Sequence, residues 1–136
     1  MTPNSIVEGA FVKVLFPTSE KPREPGLLHI AYVLAVRPPL VLVAYSTSQP
    51  WPDGVPRPFG IQIFPAREAA ALNQRPFVLH LQRQAKLLLS PRWFPEIERP
   101  GQGVIAVAPQ PLREELFGLV VALERRYREN VELLGL

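Results

Sequence analysis

The stretch LLHIAYVLAVRPPLVLVAYSTSQ (27–49) decides the architecture. Its first nineteen residues are apolar enough to raise the question of a membrane span, but Arg37-Pro38-Pro39 breaks them at the centre. An arginine there costs ~2.5–3.5 kcal/mol on insertion scales, and two prolines interrupt any helix. Two strands joined through 37–39 satisfy the pattern instead, and so short a connection makes them antiparallel. On the first strand, 27–36, the even positions Leu28, Ile30, Tyr32, Leu34 and Val36 are large and apolar. The odd positions are smaller, except for His29. Side chains alternate faces along a strand, so His29 lies opposite the large row and near the start of its strand. The hairpin then sets His29 beside the end of the second strand (40–46), where Ser46, Thr47 and Ser48 follow.

Outward from this hairpin the chain reads as more short strands. FVKVLF (11–16) follows Gly9 and ends at Pro17, and a polar loop TSEKPREPG (18–26) leads to the hairpin. FGIQIF (59–64) is a fourth strand, AREAAALNQ (66–74) a short helix, and 75–90 two strands or one bent strand. From Pro111 the pattern changes period. Leu112, Leu116, Leu119, Leu123 and Tyr127 recur at helical spacing, with Glu114 and Glu115 near the start and Arg125, Arg126 and Arg128 near the end. One amphipathic helix over about 111–134 is expected, packed on the sheet or on a partner. The fold class expected is mainly β: a single domain over 1–136, with a small barrel over about 9–95.

The 136 residues suit one core, and 47% hydrophobic with 20% charged is globular composition. No cysteine is present, which excludes disulfides and thiolate metal sites and fits a reducing, cytoplasmic setting. The amino terminus lacks the basic region and long apolar stretch of a signal peptide, and no membrane partner is expected. Net charge is +3, with Arg supplying twelve of the fifteen basic residues. The guanidinium fork suits phosphate and base contacts. Asp53 is the only aspartate and no pair of residues has ligand spacing, so no metal and no cofactor is expected. Phosphate loops of the Walker or dinucleotide type and the G-x-S-x-G elbow are missing from the sequence.

A titratable imidazole beside hydroxyls and a loop bearing Arg23 suits acid–base chemistry on a phosphodiester. Metal-free RNA cleavage needs the 2′-hydroxyl deprotonated, the leaving oxygen protonated and the phosphorane charge stabilised. The alternative at this point is a histidine that bonds the loop, and hydroxyls that end the strand by bonding their own backbone.

The order of motifs resembles the PemK/MazF-like toxins of bacterial toxin–antitoxin pairs. There, a Gly precedes a first strand ending in Phe-Pro; a polar loop follows, then a strand opening with Arg-Pro or His, then one running into Thr-Ser. Here these are GAFVKVLFP (9–17), 18–26, HIAYVL (29–34) and VLVAYSTSQ (41–49). One branch carries Tyr-Gly-Thr-Ser-Gln, matched apart from Ser46 in the glycine position. RPFVLHLQRQAKLLLSPRWF (75–94) resembles the same branch. The resemblance covers about residues 9–95, and the C-terminal helix fits by position. It implies an SH3-like barrel that forms a homodimer, cleaves single-stranded RNA without a metal, and is inhibited by a small antitoxin protein. His29 stands where many members carry a catalytic arginine, and Thr47 stands at the Thr of Thr-Ser. Carried over by position, His29 and Thr47 are the catalytic candidates, and Arg23, six residues before His29, joins them as the compensating cation if the 18–26 loop folds back; Ser46, Ser48, Gln49, Trp51 and Arg75 are the substrate-binding candidates. A non-catalytic barrel of the same fold, binding a protein or nucleic-acid partner, is the alternative.

Other residues have two readings each. Trp51 stacks a base or pins its Pro-rich loop. Arg75 and Arg83 line an RNA groove or a solvated face. His80, on the Val78 face, reads as structural, and Trp93-Phe94-Pro95 as core or dimer contact.

Overall fold

The computed structural model describes residues 5–135. In chain order it contains β1 (Ala10–Leu15), β2 (Leu28–Arg37), β3 (Leu40–Thr47), β4 (Ile61–Phe64), α1 (Ala66–Ala70), β5 (Phe77–Leu88), β6 (Val104–Val107), α2 (Gln110–Arg126) and β7 (Glu132–Gly135), with a 3₁₀ turn at Arg128–Asn130 before β7. The fold is mainly β. The strands form one sheet in the order β4-β5-β3-β2-β1-β6, antiparallel throughout, and β7 adds to β5 in parallel. The sheet curls into a half-barrel.

Alternation along each strand divides the core in two. Val12, Val14, Ala31, Val33, Val41, Val43, Ala85 and Leu87 point into the curl, closed by Trp93, Phe94 and Leu134. Phe11, Tyr32, Leu79 and Leu81 point to the other face, where Ala69 and Leu72 at α1 and Leu116 and Leu123 of α2 cover them. The small and large rows of β2 therefore have a physical meaning: the tight interior of the curl accepts Ala31 and Val33, while the broad outer face needs Tyr32 to meet the helices. On that outer face Phe11 sits 5.0 Å from the Tyr32 ring and 5.7 Å from Phe77.

The hairpin 28–47 forms as the sequence predicts, turning at a cis Pro38-Pro39 bond with Arg37 opposite Leu40. The segment 75–90 is one bent strand. Its pairing with β3 runs from Leu88 to Gln84 and resumes at His80, leaving Leu81–Arg83 out of the ladder. The first half of β5 pairs with β4 and the second with β7. The bend brings the Leu81 amide to the Gly60 carbonyl at 3.0 Å. Gly60 has φ +106, and a Cβ there would lie 2.9 Å from Gln82 Oε1, so this approach needs glycine.

Three expectations need correction. The helix expected over 66–74 ends at Ala70, and the chain turns through Asn73 (φ 57). The C-terminal helix expected through 134 ends at Arg126. Its apolar period runs out at Tyr127, which stacks on Phe59 at 4.7 Å. The open edge of β5 then takes up residues 132–135 as β7, and Leu134 fills the curl. Beyond 95, β6 adds a further strand against β1, which the sequence reading did not anticipate. Trp93 and Phe94 belong to the core.

Leu123 is fully buried where α2 meets the sheet. Leu123→Ala is expected to lower unfolding free energy by about 2–5 kcal/mol, the range for such cavities. Urea unfolding checks this; a loss well under 1 kcal/mol would mean that α2 is not docked through Leu123.

Candidate functional site

The end of the β2–β3 hairpin is finished by side chains. Its backbone pairing reaches Tyr32 and Ala44. Beyond that point the buried Ser46 hydroxyl donates to the Ile30 carbonyl, and His29 Nδ1 lies 3.1 Å from the Ser46 carbonyl oxygen. A carbonyl only accepts, so Nδ1 carries the proton and Nε2 keeps its lone pair. Thr47 Oγ1 accepts from the Gln49 amide at 3.2 Å and closes the strand end as a local turn.

His29, Ser46, Thr47 and Ser48 share a cleft of about 380 Å³ with Asn73, Gln74, Arg75 and the apolar Leu28, Ile30, Phe77 and Ile105. The loop after α1 supplies the second wall. Asn73 Nδ2 donates to the Ile105 carbonyl at 2.9 Å, tying that loop to β6. Gln74 Nε2 is buried without a hydrogen-bond partner among the described residues. The exposed Arg75 is the cationic side chain among the residues lining this cleft.

The structure therefore brings His29, Ser46, Thr47, Ser48 and Arg75 together. Arg23 is exposed and outside the cleft, where its carbonyl accepts from Arg92 Nη2 at 3.4 Å. Its loop is held elsewhere, by the Gly135 amide on the Pro22 carbonyl (2.7 Å) and by Ser19 on Glu132 (2.5 Å). Gln49 is exposed beside Thr47 and does not line the cleft. Trp51 Nε1 donates to the Val55 carbonyl at 2.9 Å, so the indole does pin its own loop.

From His29 a line of rings continues along the curl. Its centroid is 4.8 Å from Tyr45, which is 5.2 Å from His80, which is 6.1 Å from Trp51. The Arg83 guanidinium sits 4.9 Å above Tyr45. Its Nε stands 3.4 Å from Glu132 Oε1 without an aligned hydrogen bond, and its Nη2 donates to Ser19 at 3.3 Å. Sequence reasoning passed over Tyr45, Asn73 and Gln74. Tyr45 was recoverable, because Val43, Tyr45 and Thr47 alternate onto the face that His29 shares. Asn73 and Gln74 carry no such signal; only the packing of α1 brings them here.

Burial is the main force on both histidines and holds each below the ordinary value of 6.5; nearby Arg83 adds to it. For His29 the Ser46 carbonyl opposes that shift without cancelling it. Both imidazoles are therefore neutral at pH 7. Among the described residues no group of three or more His, Asp or Glu is placed to hold a metal ion, and no helix is long and apolar enough to cross a membrane. No family model matches the chain, and no curated protein matches its sequence.

A histidine whose folded pKa is depressed stabilises the fold above its unfolded value and loses that contribution as pH falls through the folded one. The protein is thus expected to lose stability on acidification below 6.5. A His29→Gln/His80→Gln variant should lose less over the same interval. Urea midpoints from about pH 8 to pH 5 check this; equal slopes would overturn it.

Proposed function

We propose that this protein cleaves single-stranded RNA without a metal, using His29 as the base, in an SH3-like barrel of the PemK/MazF type. The observation that carries the reading is the tautomer of His29: a neutral imidazole anchored through Nδ1 on the Ser46 carbonyl, lining a cleft with the hydroxyls of Thr47 and Ser48 and the guanidinium of Arg75. In this mechanism Nε2 takes the 2′-hydroxyl proton and the 2′-oxygen attacks phosphorus. A 2′,3′-cyclic phosphate forms as the 5′-oxygen leaves with a proton from the imidazolium or from water. Thr47 and Ser48 supply donors to the phosphate, and Arg75 its countercharge. Trp51 is the candidate stacking face for a base, a contact worth about 1–3 kcal/mol in single-strand binders. The same resemblance supports a small antitoxin protein and a second copy of the chain as partners, and a cytoplasmic setting.

A second reading has its own observation. Arg23, the cation expected to compensate for the arginine that His29 replaces, lies outside the cleft. Arg75 alone then binds phosphate without accelerating its chemistry, and the protein is a non-catalytic RNA-binding barrel.

Incubation of the pure protein with single-stranded RNA in EDTA separates these readings. Cleavage to cyclic-phosphate ends, reduced about 10²-fold or more in His29→Ala, supports catalysis. The rate should rise with pH to a plateau, with its midpoint below 6.5, since the neutral imidazole is the active form. Arg75→Ala should weaken RNA binding and flatten its salt dependence, while Arg23→Ala leaves cleavage unchanged. Binding without cleavage selects the second reading; neither binding nor cleavage overturns both.

A further inference from the structure

One hydrogen bond does not fix an imidazole. The Ser46 carbonyl holds His29 at Nδ1, but a histidine ring turns broadly about its last side-chain torsion, so a single anchor leaves the ring plane unset. The neighbour that limits this turning is Tyr45. Its ring centroid lies 4.8 Å from that of His29, with the planes tilted by 54°. Phe16 at 5.2 Å and a near-perpendicular His80 at 5.2 Å hold Tyr45 on other sides. The Arg83 guanidinium completes the enclosure, 4.9 Å from the centre of the Tyr45 ring.

Arg83 is itself held by two distant segments. Its Nη2 donates to the Ser19 hydroxyl at 3.3 Å, and the Glu132 carboxylate of β7 stands 3.4 Å from Nε. That Nε is buried and has no hydrogen-bond partner among the described residues. Leaving a buried donor unpaired is destabilising, and an apolar side chain would cover Tyr45 without that penalty. Packing alone therefore does not explain an arginine here. We infer that Arg83 and Tyr45 are positioning residues for His29: the guanidinium seats the Tyr45 ring, and the ring holds the imidazole in the orientation that its Nδ1 bond requires. The inference rests on the reading of His29 as the base, but the state of the imidazole is measurable without RNA. Around His29, Val14 opposite it on β1 is apolar, β3 contributes Ser46 and Tyr45, β5 contributes Arg83 and His80, and Arg75 lines the cleft. Arg83 is the cation on the Tyr45 side, and it disfavours the imidazolium.

Nitrogen-15 NMR of the imidazoles, together with steady-state cleavage of single-stranded RNA in EDTA, tests this. Wild-type His29 should show one tautomer, protonated at Nδ1. Tyr45→Leu should give a mixture of tautomers, and Tyr45→Phe should not. Arg83→Gln should also give the mixture, and should move the His29 midpoint upward because a cation opposing its protonation is gone. Arg83→Lys keeps a cation over the ring and should restore most of the wild-type spectrum. Where RNA is cleaved, kcat should fall about 10-fold or more in Tyr45→Leu and in Arg83→Gln, with KM within about twofold, and the double variant should fall no further. Circular dichroism on each variant keeps misfolding apart from lost position. Should Tyr45→Leu misfold, Arg83→Gln carries the test, since that side chain is 30% exposed. An Arg83 that only clamps β5 to β7 and Ser19 predicts a lower urea midpoint in Arg83→Gln with the His29 spectrum and midpoint unchanged, and that result overturns the inference. A folded Tyr45→Leu variant with a single unchanged tautomer overturns it equally. If the wild type leaves RNA intact, the proposed base falls, and the spectra still decide whether Arg83 and Tyr45 position the imidazole.

Discussion

Three residues left out of a ladder, Leu81–Arg83, govern the shape of this protein. Gln84 faces Ala44 and His80 faces Tyr45, so β5 must bulge by Leu81, Gln82 and Arg83 within one step of β3. A bulge bends its strand and increases the local twist. That bend lets one twelve-residue strand serve β4 with one half and β7 with the other, and so lets a short sheet curl. The buried Gln84 stitches the bulge by donating to the Leu81 carbonyl at 3.0 Å. The same bulge puts Arg83 over Tyr45, close enough for its charge to reach both histidines. The electrostatics of the aromatic row thus follow from a backbone irregularity.

The second constraint is volume. A tightly curled sheet has little room inside and much more outside, so β2 presents Ala31 and Val33 inward and Tyr32 and Leu34 toward the helices. His29 is the exception to the small row, and it is tolerated because it stands at the open end of the curl beside Tyr45. The two cores have different closures: Trp93, Phe94 and Leu134 for the interior, α1 and α2 for the outer face. The deeply buried Tyr32 phenol, pushed up to about 12 mainly by burial, stays neutral beneath the groove beside α2.

Ser46 joins fold and site. Its hydroxyl replaces a missing rung of the hairpin, and its carbonyl sets the tautomer of His29. A glycine there would supply the carbonyl but not the rung. Thr47, spent on the turn at Gln49, still lines the cleft, so a strand terminator also supplies a hydroxyl to it.

The alternation of β1 through β3, the break at Arg37-Pro38-Pro39 and the helical period from Leu112 to Tyr127 are local patterns, and they were legible in the sequence. So was the meeting of His29 with Ser46–Ser48, because a short hairpin has little freedom of register. What only tertiary structure decided are contacts whose partners lie far apart in the chain. Gln74 and Arg75 reach the cleft through the packing of α1, Arg23 is drawn away by β7, and the last residues become a strand because β5 has an edge to offer. None of these follows from periodicity. Edge pairing and loop docking are settled by whatever surface the rest of the fold leaves open, and that surface exists only once the sheet has bent.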